Sequence, residues 1–279
     1  MKISVISSGD KSGLGQADGQ DGWSGYDLVT RGVTASLDRS EGDFRLGAAL
    51  GFTRVEQDWD RYNGETTTEA LSGSIYGGLK SGNFILAAHF GGGLGDASTQ
   101  RDLPGFGARA TADQDAAWYG AGLSAAYQLE AGAWQVQPSA SLTWLHSRVD
   151  AVNEHWSNGD RAWVEADDFD SLEARLGVNF SRPIRDDRGV RLTPYLDLGA
   201  NFELADRDTS LRTRVNSAVF GLPLAATLDG PKSDRFRVDL ASGLEGRLTD
   251  RTSVRLGYNG DYADDFQHHQ AEAIIALSW

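Results

Sequence analysis

The chain has 279 residues, 40% of them hydrophobic, with 26 Lys and Arg against 40 Asp and Glu and a formal net charge of −14. That balance excludes a nucleic-acid backbone as a partner, which requires a basic face, and the absence of cysteine excludes a disulfide scaffold and any thiolate metal site. No apolar run reaches the roughly 18 residues that a transmembrane helix needs, which leaves membrane-spanning strands open because each is short and only weakly apolar.

Hydrophobic residues instead alternate with polar ones, the period of a β-strand. Twelve strands are predicted, over residues 2–10, 26–39, 43–59, 65–81, 83–97, 112–130, 133–150, 163–182, 190–205, 233–249, 252–263 and 267–279. Met1-Lys2-Ile3 leads straight into the first without a secretory leader, as expected of a cytosolic protein or of a piece of a longer precursor. The connections alternate in length. Long ones (Lys11–Ser24, Arg61–Glu65, Thr99–Ala110, Val152–Ala162, Ala205–Lys232, Asp264–Gln267) are interleaved with short ones at Ser40–Gly42, Ser81-Gly82, Ala131-Gly132, Arg185–Gly189 and Asp250-Arg251. In an up-and-down meander, alternate connections fall at the same end. All tight turns then lie at one rim and all long loops at the other.

The tenth strand shows the pattern best. Phe236, Val238, Leu240, Leu244 and Leu248 alternate with Arg235, Arg237, Asp239, Glu245 and Arg247. A soluble sandwich would turn the apolar face into a dry core, while a membrane barrel turns it toward lipid. Three features favour the barrel: strict short–long alternation, strands longer than the usual ~5–6 residues, and aromatic residues near strand ends. Phe44, Phe52, Trp134, Trp144, Phe180, Phe202 and Trp279 would form the interfacial girdles. The fold class is therefore all-β, a twelve-stranded antiparallel up-and-down transmembrane β-barrel forming one domain over residues 1–279.

Several ordered motifs resemble the C-terminal β-barrel translocator domain of autotransporters, the type V secretion family. They are G-x-x-x-x-L-D-R at Gly32–Arg39, the F-R-L-G-A-A-L-G-F-T run from Phe44, S-I-Y-G-G-L at Ser74–Leu79, the Phe169–Pro183 segment, L-T-P-Y-L-D-L-G-A-N-F at Leu192–Phe202, and Leu240–Thr249 before the last hairpin. The resemblance covers essentially the whole chain. It implies an outer-membrane location and a lumen that holds the linker of a covalently joined passenger. The implied partners are outer-membrane lipid, the passenger, periplasmic chaperones and the barrel-assembly machinery, for which Leu277 and Trp279 match the family's C-terminal signal. Ile274 stands where the family often has glycine. No Asn-Asn cleavage junction is present, so no autoproteolysis is assigned.

Candidate chemistry is sparse. His268 and His269 are adjacent on a strand and so point to opposite faces, as do His146 and Ser147, and no G-x-S-x-G elbow occurs. The acidic runs Asp58–Asp60 and Ala166–Asp170 lack Ca²⁺-loop spacing. One constellation stands out: Arg45, Glu173, Arg175, Asp197, Arg235, Arg237, Asp239, Glu245, Arg247 and Arg255 all fall on the polar faces. They read as a mixed-charge, water-filled lumen, serving a passing polypeptide, the barrel's own cohesion, or both. The expected function is a monomeric, non-enzymatic translocator without metal or cofactor. A porin-like channel and an outer-membrane hydrolase are the alternatives.

Overall fold

The computed structural model describes residues 2–12, 26–59, 63–185, 191–205, 210–216, 223–229, 235–249, 251–264 and 267–277. Twelve long strands carry the architecture: β1 (Lys2–Ser12), β2 (Tyr26–Glu41), β3 (Phe44–Trp59), β4 (Gly64–Ser81), β5 (Phe84–Leu103), β6 (Ala108–Tyr127), β7 (Trp134–Val149), β8 (Asp167–Ser181), β9 (Arg191–Glu203), β10 (Phe236–Arg247), β11 (Thr252–Tyr262) and β12 (Gln267–Leu277). Each pairs antiparallel with the next. β12 then pairs with β1, from Lys2↔Ala276 to Lys11↔Gln267, and closes the ring. Closure removes every exposed backbone edge along the staves, which a strand in hydrocarbon cannot tolerate.

The strands follow the alternation of the sequence. On β3, Phe44, Leu46, Leu50 and Phe52 are exposed on the outer face, while Arg45, Gly47, Ala49 and Gly51 turn inward. The same phase holds on β4, where Leu71, Ile75 and Leu79 face out, and on β12, where Ile275 and Leu277 do. Leu50, Leu94 and Leu123 are 67%, 69% and 66% exposed. In water such a belt would be an aggregation surface; in a bilayer it is the solvated face.

Three hairpins at one rim use the same device. Gly42, Gly82 and Gly132 open two-residue loops closed by the pairs Glu41↔Phe44, Ser81↔Phe84 and Ala131↔Trp134. Their φ values are 59°, 60° and 64°, and the second loop residue is not left-handed. This is the type II′ geometry, which demands glycine first and matches strand twist. Neighbouring turns are stitched together where Lys80 N–H donates to the Asp43 carbonyl at 2.8 Å and Gln128 N–H to the Asn83 carbonyl at 2.8 Å.

The opposite rim departs from expectation. Of the predicted long loops, Thr99–Ala110 is mostly strand: β5 runs to Leu103 and β6 begins at Ala108, joined by a 3₁₀ turn at Pro104–Phe106. Val152–Ala162 contains the strand Val152–Trp156 and the first residues of Arg161–Val164. Ala205–Lys232 contains the paired strands Ser210–Asn216 and Pro223–Asp229. These pieces join edge to edge into a cap that extends β6 beyond the ring. Beneath it lies a small dry cluster of Ala108, Ala110, Trp156 and Ala162, with Leu103 and Val215 against it. Val152, Glu154 and Trp156 alternate inward, but a glutamate in the buried phase breaks the apolar pattern. Its partner, Arg101, is 53 positions away: Nε and Nη2 donate to the two Glu154 oxygens at 2.8 and 3.0 Å. Trp156 Nε1 adds a third bond to the same carboxylate at 2.9 Å.

Candidate functional site

The inner surface is largely polar because, among the described residues, most inward positions of the staves are polar or small. Its densest charge lies midway along β8, β9 and β10, where Arg175 stands opposite Asn201 and its long side chain reaches diagonally to Asp197 and Asp239 on the next two strands. Arg175 Nε donates to Asp239 Oδ1 at 2.9 Å and Nη2 to Oδ2 at 2.6 Å. The same Nη2 also donates to Asp197 Oδ1, and Asn201 Nδ2 donates to Asp239 Oδ1 at 2.6 Å. Arg237 pairs with Glu173 one layer toward the long-loop rim. Above this, Glu203 accepts from the Ser171 hydroxyl at 2.7 Å and from Leu172 N–H at 2.8 Å, fastening β9 to β8. Bidentate guanidinium–carboxylate bonds are strong and directional, so this lattice ties three staves together on the inner side while leaving a cavity of about 240 Å³ beside it, lined by Arg175, Arg237, Asp239, Asn259 and Asp261.

Toward the tight-turn rim the pattern changes. Arg255 Nε donates to the Tyr195 hydroxyl at 3.1 Å, its guanidinium stacks 4.4 Å over that ring, and it meets Glu272 at 3.5 Å. Tyr195 lies flat across two neighbouring staves. A Cβ built on Gly243 or on Gly257 would stand 2.6 Å from its hydroxyl. Glu245, Arg247 and Arg255 share a polar cavity of about 650 Å³ at this mouth with Arg191 and Arg251.

The other wall is made differently. Inward positions of β3 to β6 are mainly Gly, Ala and Ser. Three rings lie down upon glycines of the adjacent stave: Tyr76 on Gly47, Trp118 on Gly93 and His89 on Gly122, where a Cβ would come within 2.6, 2.8 and 2.8 Å of ring atoms. A hollow of about 360 Å³ opens between His89 and Trp118, floored by Gly51, Ser72, Gly91 and Gly120.

Of the ten charged positions singled out in the sequence, Glu173, Arg175, Asp197, Arg237 and Asp239 come together at mid-bore as two adjacent ion-paired sets, Arg175 with Asp197 and Asp239 and Arg237 with Glu173. Glu245, Arg247 and Arg255 form a second group at the mouth. Arg45 stands apart on the small-residue wall and pairs with Asp38 at 2.6 Å. Arg235 sits beyond the end of β10, its carbonyl accepting from Glu203 N–H at 2.9 Å. Leu277 ends β12 on the outer face, and Trp279 lies outside the described residues. Sequence reasoning missed Tyr195, Asn201, Arg191 and Glu272. All four sit in the inward phase of their strands, so parity alone could have found them.

His146 faces outward, its Nδ1 3.2 Å from Asp170, which also accepts from Trp144 Nε1 at 3.1 Å, with Tyr119 packed alongside. Ser147 is on the opposite face of β7. This cluster belongs to the aromatic girdle. His268 and His269 also face opposite ways; His269 Nδ1 meets the Tyr258 hydroxyl at 2.6 Å on the outside. Among the described residues no group of three His, Cys, Asp or Glu is placed to share an ion; Asp60, of the run Asp58–Asp60, lies outside them.

Comparison with known proteins agrees with this geometry. The family model for the autotransporter beta-domain matches residues 11–259. A curated relative, the extracellular serine protease of Serratia marcescens, is 25% identical over 275 residues; the match takes in 95% of this chain and 25% of that protein, so the chain spans about a quarter of its relative's length. Among solved structures, the translocator domain of the autotransporter NalP from Neisseria meningitidis superposes with a TM-score of 0.76 at 14% identity, covering 100% of this chain and 89% of the other. The beta domain of the Bordetella autotransporter BrkA gives 0.69 at 20% identity, with 100% and 98% covered.

Proposed function

This chain belongs to the autotransporter β-domain family, and from that premise we propose how its parts serve secretion. It is an outer-membrane β-barrel, a translocator that enables a linked passenger to reach the cell surface. The observation that carries the mechanism is the closed twelve-stave ring with hydrocarbon side chains outside and ion pairs inside.

In this reading residues 1–279 form a single translocator domain, with the passenger joined upstream of Met1. Arg45, Glu173, Arg175, Asp197, Arg235, Arg237, Asp239, Glu245, Arg247 and Arg255 line the conduit. The mid-bore charges, paired with one another, offer a passing chain neither an apolar trap nor a naked ion. The barrel performs no bond chemistry; transport is driven by folding, and the ring is complete as a monomer. Periplasmic chaperones and the barrel-assembly machinery deliver and insert it, reading the strand that ends in Leu277 and Trp279.

The test is surface display. A secretory leader and an epitope-tagged passenger are joined upstream of Met1 and expressed in a Gram-negative host. External protease should remove the tag, and deletion of Leu277–Trp279 should abolish both insertion and display. A barrel that inserts while its tag stays protected in the periplasm would identify the porin-like alternative instead.

A further inference from the structure

We propose that the outer face of the cap binds the phosphorylated saccharide of the lipid that surrounds the barrel in the outer leaflet. On this face His155 stands directly opposite Thr111 of β6 on one side and Arg161 on the other, and Trp163 stands opposite Asn153 and Arg214. Glu165 and Arg212 continue it, joined by a 3.0 Å bond from Glu165 N–H to the Arg212 carbonyl. Arg109 flanks it on β6, its carbonyl accepting from Ser157 N–H at 2.8 Å. Directly opposed residues share a face, so these side chains lie on the side away from the dry cluster of Ala110, Trp156 and Ala162. Arg109, Arg161, Arg212 and Arg214 are all exposed. Among the described residues two carboxylates pair with them, neither at hydrogen-bond distance. Asp102 lies 3.9 Å from Arg109, and Glu165 lies 3.7 Å from both Arg212 and Arg214. Four guanidinium groups on two carboxylates leave the patch positive in a chain of net charge −14. Half-exposed Trp163 stands among them, with the Arg214 guanidinium 5.3 Å from its ring centre. Guanidinium groups match phosphate in geometry, and an aromatic face takes the C–H side of a sugar ring.

Facing and height select the occupant. β6 carries the lipid-facing phase through Leu123 and Tyr119, and Thr111 and Arg109 continue it at the long-loop rim, the outward end of such a barrel. A chain inside the bore meets the other phase. From Tyr119, in the girdle, to Thr111 is eight residues, about 26 Å along a strand and about 20 Å above the girdle at the usual barrel tilt. Phospholipid headgroups reach only about 5–8 Å beyond the hydrocarbon, whereas a lipid built out with sugars reaches the patch. Between girdle and patch the same phase of β6 holds Asp115 and Asp113, so along this stave the attraction for an anion begins at the height of the cap. The inference rests on the outer-membrane placement in the reading above and not on the passage of a passenger.

The experiment places the barrel in phosphatidylcholine nanodiscs and measures, by anisotropy, the binding of fluorescently labelled core oligosaccharide released from lipopolysaccharide. The phosphorylated oligosaccharide should bind at least roughly tenfold more tightly than the same molecule treated with phosphatase, and Arg161→Gln with Arg212→Gln should weaken it roughly tenfold. Arg31→Gln with Arg54→Gln, an outward pair on β2 and β3, should leave it unchanged. Folding is verified by gel mobility, and the single variant Arg212→Gln replaces the pair if the pair does not fold. Nanodiscs that also contain intact lipopolysaccharide should take up no further free oligosaccharide, since the lipid's own sugars fill the face. Undiminished uptake there, equal binding after phosphatase, indifference to the cap substitutions, displacement by inorganic phosphate at matched charge, or tighter binding of hexaglutamate overturns the proposal. Saccharide binding that persists while surface display fails would overturn the translocator reading alone.

Discussion

The two walls of the lumen solve one problem by opposite means. From β3 to β6 the bore is kept clear by subtraction: glycine, alanine and serine face inward, and Tyr76, Trp118 and His89 are folded flat onto glycines. From β8 to β11 it is kept open by charge, with side chains long enough to meet across staves and cross-linked by bidentate bonds. The outer faces of the two halves are both apolar: Leu50 and Leu123 on one side are 67% and 66% exposed, and Leu256 on the other is 55% exposed. Lipid therefore imposes a uniform demand, while the water-filled side accepts two chemistries.

The largest expected effect tests that uniformity. Leu50→Arg and Leu256→Arg, one on each half, should each destabilise the inserted barrel by about 2–4 kcal/mol, measured by urea unfolding from lipid vesicles. Unequal costs would mean that the halves meet the membrane differently.

Next comes the charged wall. Arg175→Met leaves Asp197 and Asp239 facing each other without their shared cation. Breaking a buried pair costs about 3–5 kcal/mol. Arg175 is one-quarter exposed to the lumen, which reduces the expectation to about 2–3 kcal/mol. Adding Asp239→Asn should recover part of the loss, and a double-mutant cycle isolates the coupling. No recovery would show that these staves are spaced by their backbones rather than by the ion pairs.

The small-residue wall should fail sterically instead. In Gly93→Val the new Cβ would meet the Leu71 carbonyl at 2.6 Å, a backbone atom that cannot swing aside. The cost should be about 1–2 kcal/mol by overpacking, and Trp118 fluorescence should report the displaced ring. Smallest of all, Arg31→Gln should cost under about 1 kcal/mol, because its pair with Glu56 at 3.1 Å is solvent-exposed.

Much of the ring was legible because two-residue periodicity is a local signal. Val33 and Leu37 against Thr34 and Asp38, or Ile275 and Leu277 against Gln270 and Glu272, give their facing without any knowledge of partners. Turn chemistry was equally readable at Gly42, Gly82 and Gly132. What stayed hidden depends on distance. Glu154 reads as a loop residue until Arg101 is brought to it. The partition of charges between mid-bore and mouth follows from strand registers, which alternation does not supply. Tyr195 passes unnoticed in the sequence; its place across two staves shows only when Gly243 and Gly257 arrive beneath it from two other strands.

The cap beyond the long-loop rim has a consequence for anchorage. The carboxylate of Glu154, triply bonded and nearly excluded from solvent, cannot traverse hydrocarbon as an assembled unit. Its strands must go through unfolded and knit together afterwards. Once knit, the cap is a rivet head: the cylinder can withdraw from the membrane only after that head is taken apart again.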